Sequence, residues 1–148
     1  MCWATGAGAG EEVVAMTTTA TATAAIEGAW YNELGSQLDL SIGPDGHLTG
    51  TFHSLVGGDE PPQPVTGVVD LLAPDGTAVL GFTVSWPSNH TVSVWAGQCD
   101  LEHQVMETTW LLSNELRGGD AWHSTLVGHN RFTRQRGAAI GESGGAGA

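Results

Sequence analysis

The chain runs to 148 residues, enough for one domain with a single core, and carries a formal charge of −12 from 16 acidic residues against 4 basic ones. None of the basic residues is lysine; they are Arg117, Arg131, Arg134 and Arg136, all in the last third of the sequence. So few cations argue against nucleic-acid binding driven by counterion release and against anionic membrane surfaces, and no apolar run approaches the roughly 20 residues of a bilayer span.

Residues 1–27 are mostly Ala, Thr and Gly around the acidic pair Glu11 and Glu12, without periodicity. They are expected as a disordered tail in which the alternating Thr17–Ala25 stretch pairs at most transiently as a strand. They hold neither a basic n-region nor a continuous apolar h-region, hence no recognisable secretion signal. Residues 28–136 are punctuated by turn signals at Gly35, Gly43-Pro44-Asp45-Gly46, Gly57 through Pro64, Pro74-Asp75-Gly76, Pro87-Ser88-Asn89 and Arg117-Gly118-Gly119-Asp120. The runs between them are rich in Val, Thr, Leu and aromatics and predict strands over 28–32, 36–42, 47–54, 64–71, 77–86, 91–99, 104–113 and 123–134. Segment 115–122 has room for one helical turn, and the Gly/Ala-rich residues 137–148 are expected as a second disordered tail. The fold class expected is all-β: an eight-stranded antiparallel up-and-down β-barrel, because closure removes edge strands and a barrel of this size admits one small ligand.

Strand alternation then sorts the side chains into two faces. One face collects Trp30 and Asn32, then Ser36, Leu38, Leu40 and Ile42, then Leu48, Phe52 and Ser54. It continues with Ala78, Leu80, Phe82, Val84 and Trp86, with Thr91, Ser93, Trp95 and Gly97, with Met106, Thr108, Trp110 and Leu112, and with Ser124, Leu126, Gly128, Asn130 and Phe132. Pointed inward, these residues make an apolar lower core and an upper cavity in which tryptophans alternate with hydroxyls and amides, the composition of a site for a small, mostly uncharged ligand. Taken singly, each tryptophan is as well explained as core and each polar residue as a strand end. In phase, the set is better explained as a pocket, because buried hydroxyls and amides need partners. The opposite face places Leu111, Val127 and Val105 outward beside Thr109 and His129, an apolar exterior that predicts a homo-oligomer. Glu33 and Asp39 are expected as solvated strand residues.

Catalytic and metal chemistry find no support. The six histidines, His47, His53, His90, His103, His123 and His129, are not spaced as paired ligands, alternation turns His53, His123 and His129 outward, and no nucleophile–base–orienter set is visible. Cys2 and Cys99 are far apart, one in the tail, and are not expected to form a disulfide.

The segments Gly28-Ala-Trp-Tyr-Asn-Glu-Leu-Gly-Ser36, Leu48-Thr-Gly-Thr-Phe-His-Ser54, Trp95-Ala-Gly-Gln98, Thr109-Trp-Leu-Leu112 and Ala121-Trp-His-Ser-Thr-Leu-Val-Gly-His129 resemble the avidin/streptavidin family, in order and across residues 28–136. The likeness is strongest in the first and last segments and toward the bacterial, streptavidin-like members. It implies a non-catalytic barrel that sequesters biotin, without cofactor or metal, usually as a secreted homotetramer. It further implies that Asn32 and Ser36 donate to the ureido oxygen, that Ser54 and Asn130 accept from the ureido nitrogens, and that Ser93 contacts the thiophene sulfur. Thr91 then lies near the valerate carboxylate; Trp86, Trp95 and Trp110 line the ring site with Leu34 and Leu112, and Trp122 caps the pocket of a neighbouring subunit. The implied interface holds Thr109, Leu111, Trp122, Val127 and His129. Four departures stand out: Phe52 replaces a tyrosine that supplies a third donor to the ureido oxygen, Asn130 replaces the aspartate of bacterial members, the Trp86–Trp95 loop is short, and Gly58 replaces an asparagine that reaches the carboxylate. A barrel of the same architecture binding a different small apolar ligand is the alternative, and a small β-barrel enzyme a remoter one.

Overall fold

Alternation decides the architecture, because each strand must hide one face and solvate the other. A computed structural model describes residues 19–56, 58, 60–71, 76–115 and 124–137. Its strands are β1 (Gly28–Asn32), β2 (Gln37–Ile42), β3 (His47–His53), β4 (Gln63–Asp70), β5 (Thr77–Trp86), β6 (Thr91–Asp100), β7 (Val105–Asn114) and β8 (Thr125–Thr133). They form one closed antiparallel barrel in which every strand pairs with its sequence neighbours and β8 returns to β1. The predicted strands are all present, with ends that differ by a residue or two. No helix among the described residues is long and apolar enough to cross a membrane.

Burial follows the predicted parity except near the start of β8, where Leu126, grouped with the inward face, is 54% exposed. Trp30, Leu38, Leu40, Leu48, Phe52, Ala78, Leu80, Phe82, Val84, Met106 and Phe132 are all buried, and Trp30 is fully so, in the lower core as its parity implied. Cys99 is a free, fully buried thiol; burial pushes its pKa up to about 11 against the opposing charge of Arg134, which leaves it protonated and unreactive at neutral pH. Cys2 lies outside the described residues, as do Trp122, His123, most of the 115–122 segment and the tail beyond Gly137.

The barrel is joined unevenly. β5 and β6 pair along their whole length, from Thr77 opposite Asp100 to Trp86 opposite Thr91. β1 and β8 meet only at Tyr31–Thr133 and Asn32–Phe132. Side chains strengthen this short seam. The Arg134 guanidinium lies 3.8 Å over the Trp30 ring and donates to the Ala29 carbonyl (3.1 Å), the Ala25 carbonyl (2.5 Å) and Gln104 Oε1 (2.8 Å). Arg136 stacks on Tyr31 and donates to the Gly35 carbonyl and Gln37 Oε1.

Residues 19–26, expected within the N-terminal tail, are instead helical (α1) and sit at the barrel end formed by the β2–β3 and β4–β5 turns. The Thr/Ala alternation suggested a period of two, but Ala22 and Ile26 are four apart and share one helical face, and both are buried. Ile26 closes the bottom of the core, and its carbonyl accepts the Trp30 indole N–H at 2.7 Å. The fully buried indole thus has the partner it requires.

One glycine is fixed by packing. Gly128 of β8 lies opposite Trp110 of β7, and a Cβ there would overlap the indole, which occupies the space a side chain would take. Gly128→Ala is therefore expected to displace Trp110, lower stability by about 1–3 kcal/mol as overpacking does, and shift the tryptophan emission, measured by urea unfolding and fluorescence. Arg134→Ala removes three hydrogen bonds and a cation–π contact at the seam. It is expected to cost roughly 2–4 kcal/mol in urea unfolding and to loosen α1, read by circular dichroism.

Candidate functional site at the open end of the barrel

The end opposite α1 is where β1 turns into β2, β3 and β5 end, and β7 ends beside the start of β8. Its polar side chains are held by backbone. After β1 the chain turns back at Gly35 (φ 82°), with Gly35 N–H donating to the Asn32 carbonyl and Asn32 N–H to the Ser36 carbonyl. Within that turn Asn32 Oδ1 accepts the N–H groups of Leu34 (3.0 Å) and Ser36 (2.9 Å). The oxygen of this buried amide is thus committed to the turn, and its NH2 is left to donate. Ser36 Oγ accepts from Leu55 N–H at 3.0 Å, which ties the β1–β2 turn to the β3–β4 loop and leaves the hydroxyl hydrogen to donate. Ser54 Oγ both donates to the Val56 carbonyl and accepts the Val56 N–H, each at 3.1 Å, so a lone pair is its remaining capacity.

Asn130 of β8 is also buried. Its Oδ1 accepts the Trp95 indole N–H at 3.0 Å and its Nδ2 donates to Glu33 Oε1 at 2.6 Å; Thr108 Oγ1 donates to its carbonyl. Oδ1 keeps a second lone pair for a further donor. The open end therefore offers two donors, Asn32 and Ser36, and two acceptors, Ser54 and Asn130.

Aromatic rings fill the space beneath. Trp95 is stacked between Phe52 (5.1 Å, 26°) and Phe82 (5.0 Å, 13°). Phe52 also meets Trp86 and Phe132 edge to face. Trp86 donates its indole N–H to Ser93 Oγ at 3.0 Å, and Thr91 lies buried opposite it in the ladder. Trp110 pairs with Trp95 and Leu112 with Ser93 across β6–β7, both half-buried. Leu34 sits at the rim, 55% exposed. The predicted residues Asn32, Ser36, Phe52, Ser93, Trp86, Trp95 and Asn130 are thus linked through contacts and ladder positions, with Ser54, Thr91, Trp110 and Leu112 beside them; Trp122 lies outside the described residues.

Glu33 corrects an expectation. Rather than a solvated strand residue, it is a half-buried turn residue whose Oε1 accepts from Asn130 and whose Oε2 accepts the Arg131 N–H at 2.9 Å. Alternation alone carried no signal for this, because the contact crosses the β1–β8 seam. Asp39 is half-buried as well and accepts from Gln37 Nε2 at 2.9 Å. Phe82 and Phe132 are further site neighbours that the parity grouping placed on the correct face without a role.

On the outer face Val94, Leu111 and Val127 lie side by side in register across β6, β7 and β8, 42%, 47% and 66% exposed. Thr109 and His129 occupy the next row, where His129 Nε2 and Arg131 Nε both approach Glu107, at 2.9 and 3.2 Å. Val105, expected outside, is half-buried at the start of β7. Among the described residues no group of three or more His, Cys, Asp or Glu could hold a metal ion.

The family model described as Avidin family matches residues 20–135. Avidin of Gallus gallus is 32% identical over 119 residues, 75% of this chain and 78% of that protein. Avidin-related protein 7 of Gallus gallus is 34% identical with the same coverage. Fibropellin-1 of Strongylocentrotus purpuratus is 30% identical over 115 residues, 74% of this chain but only 11% of its own length. With a closed eight-stranded barrel and matches of this extent, the chain belongs to the Avidin family, whose members bind a ligand without catalysis and without a cofactor.

Proposed function

We propose that the open end of the barrel binds biotin and sequesters it without chemical change. The observation that carries this reading is the polarity of the four anchored side chains: two spare donors on Asn32 and Ser36, two spare acceptors on Ser54 and Asn130. A urea presents one carbonyl oxygen flanked by two N–H groups, and that pattern is its complement. The aromatic group of Trp86, Trp95 and Phe52, with Trp110, Leu112 and Leu34 toward the rim, suits the apolar fused ring, and the low dielectric strengthens each hydrogen bond it surrounds. Ser93, whose oxygen takes the Trp86 indole N–H, faces the ring sulfur in this reading, and buried Thr91 faces the carboxylate.

Two positions lower the affinity below what the family's full donor set would give. Phe52 keeps the ring but lacks the hydroxyl that would reach the ureido oxygen, a loss of about 1–3 kcal/mol, or roughly one to two decades. Gly58 brings no side chain to the carboxylate, and a Cβ at that position would meet nothing within 4 Å. We further propose that the Val94–Leu111–Val127 row with Thr109 and His129 joins copies into a homotetramer, that Trp122 of one copy covers the pocket of the next, and that the protein acts outside the cell.

Biotin in large excess is expected to raise the melting temperature by many degrees, through linkage to the native state; a scan with no shift rules out the ligand. Phe52→Tyr is expected to slow biotin release about ten- to hundredfold, read by competition with labelled biotin, and an equal or faster rate removes Phe52 from the ureido site. Trp122→Ala is expected to speed release and weaken association together. Sizing that finds a monomer with unchanged affinity would count against the shared pocket.

A further inference from the structure

We infer that the pocket is built for biotin held in an amide, as on the side chain of a lysine in another protein, in preference to free biotin with its carboxylate. This inference rests on the biotin reading of the site and concerns the acyl end of the ligand. A free carboxylate calls for a cation or several fixed donors. The chain offers few. It has no lysine, and its described arginines are spent elsewhere: Arg131 Nε on Glu107 of the outer face, Arg134 on α1 and the β1–β8 seam, Arg136 on Tyr31, Gly35 and Gln37. The stretches of sequence that connect β1 to β2, β3 to β4, β5 to β6 and β7 to β8 hold five acids, Glu33, Asp59, Glu60, Glu115 and Asp120, against one arginine, Arg117. Charge of that sign opposes an anion and leaves a neutral amide unaffected.

The connection from β3 to β4 carries the sharper observation. Gly58 (φ 114°) brings no side chain, and the Glu60 N–H closes back on the Gly58 carbonyl at 3.0 Å, which sets a carboxylate two residues from the position that lacks a side chain. Glu60 Oε1 is buried and has no hydrogen-bond partner among the described residues. A buried carboxylate oxygen without a donor is costly, and a ligand carboxylate would only set acceptor against acceptor there. An amide N–H is the donor it lacks. Thr91 serves either form of the ligand, since a hydroxyl both donates and accepts. The neighbouring rim is apolar. Leu55, whose N–H donates to Ser36 Oγ and whose Cδ1 lies 3.4 Å from where a Cβ on Gly35 would stand, sits against the β1–β2 turn that carries Leu34. Leu34, Leu55 and Val56 are all exposed. The methylenes of an acylated lysine give that surface something to bury, which free biotin lacks.

The test compares free biotin, biotinamide and a peptide with biotin on one lysine, read as dissociation rates from the full chain at about pH 8, above the usual imidazole range. In dilute buffer biotinamide and the peptide are expected to leave about three- to tenfold more slowly than biotin, and about 1 M salt, which screens the rim, is expected to narrow the gap. Glu60→Gln is expected to narrow it at least about twofold, by speeding release of the amide and slowing that of biotin, with melting of the ligand-free protein as a check on folding. Biotin that leaves as slowly as biotinamide in dilute buffer overturns the inference, and so does a gap that neither salt nor Glu60→Gln narrows. Should Glu60→Gln fail to fold at the assay temperature, Val56→Ser carries the test. It is expected to hasten release of the peptide about two- to threefold and to leave biotinamide unchanged, and an unchanged rate for the peptide overturns the inference equally. A native chain that holds none of the three probes overturns the biotin reading itself, a result distinct from these.

Discussion

Closing the barrel at the β1–β8 seam is the constraint on which the rest of this protein depends. The other pairs of neighbouring strands share from four register positions (β1–β2) to ten (β5–β6 and β6–β7), but β1 touches β8 at only two. An open seam would leave two edges and admit water to the core. The chain meets this with side chains that reach across to backbone: Arg134 to Ala25 and Ala29, Arg136 to Gly35, and Glu33 to the Arg131 N–H. Two of the chain's four cations, Arg134 and Arg136, are committed here together with Glu33.

The same seam assembles the site. Asn32 and Ser36 lie on its β1 side and Asn130 on its β8 side, so the donors and one acceptor meet only if the barrel closes in this register. Rigidity follows from how the polar atoms are satisfied. Each side chain spends one part of its hydrogen-bonding capacity on the fold and, in the proposed reading, keeps the other for a ligand. Buried polar groups held in this way need little reorganisation on binding, and that is where a small pocket gains affinity. The aromatic cluster serves both purposes as well: Phe52 and Phe82 stack on Trp95, and Trp95 in turn orients Asn130.

Much of this was legible in the sequence because a barrel strand has a period of two and a binary environment. Turn residues marked the eight strands, and parity alone placed Trp30, Phe52, Trp86, Trp95 and Phe132 inside. The side chains grouped at the open end of the barrel came out in phase for the same reason. α1 was misread because Thr/Ala alternation has no strong helical period, and its docking depends on an apolar slot at the barrel's end that only the folded strands create. Glu33 was misread because its partners are nearly a hundred positions away and lie on a strand adjacent only through closure.

The sequence by itself determined the strand boundaries to within a residue or two, the inward face of seven of the eight strands and the chemical types available to the pocket, since these depend on local periodicity and composition. Tertiary structure decided what each polar atom has left to give. Whether Asn32 offers its nitrogen and Asn130 its oxygen depends on which neighbour has already taken the other end, and those neighbours, the Ser36 N–H, the Trp95 indole and the Glu33 carboxylate, are fixed only by the closed register of the barrel.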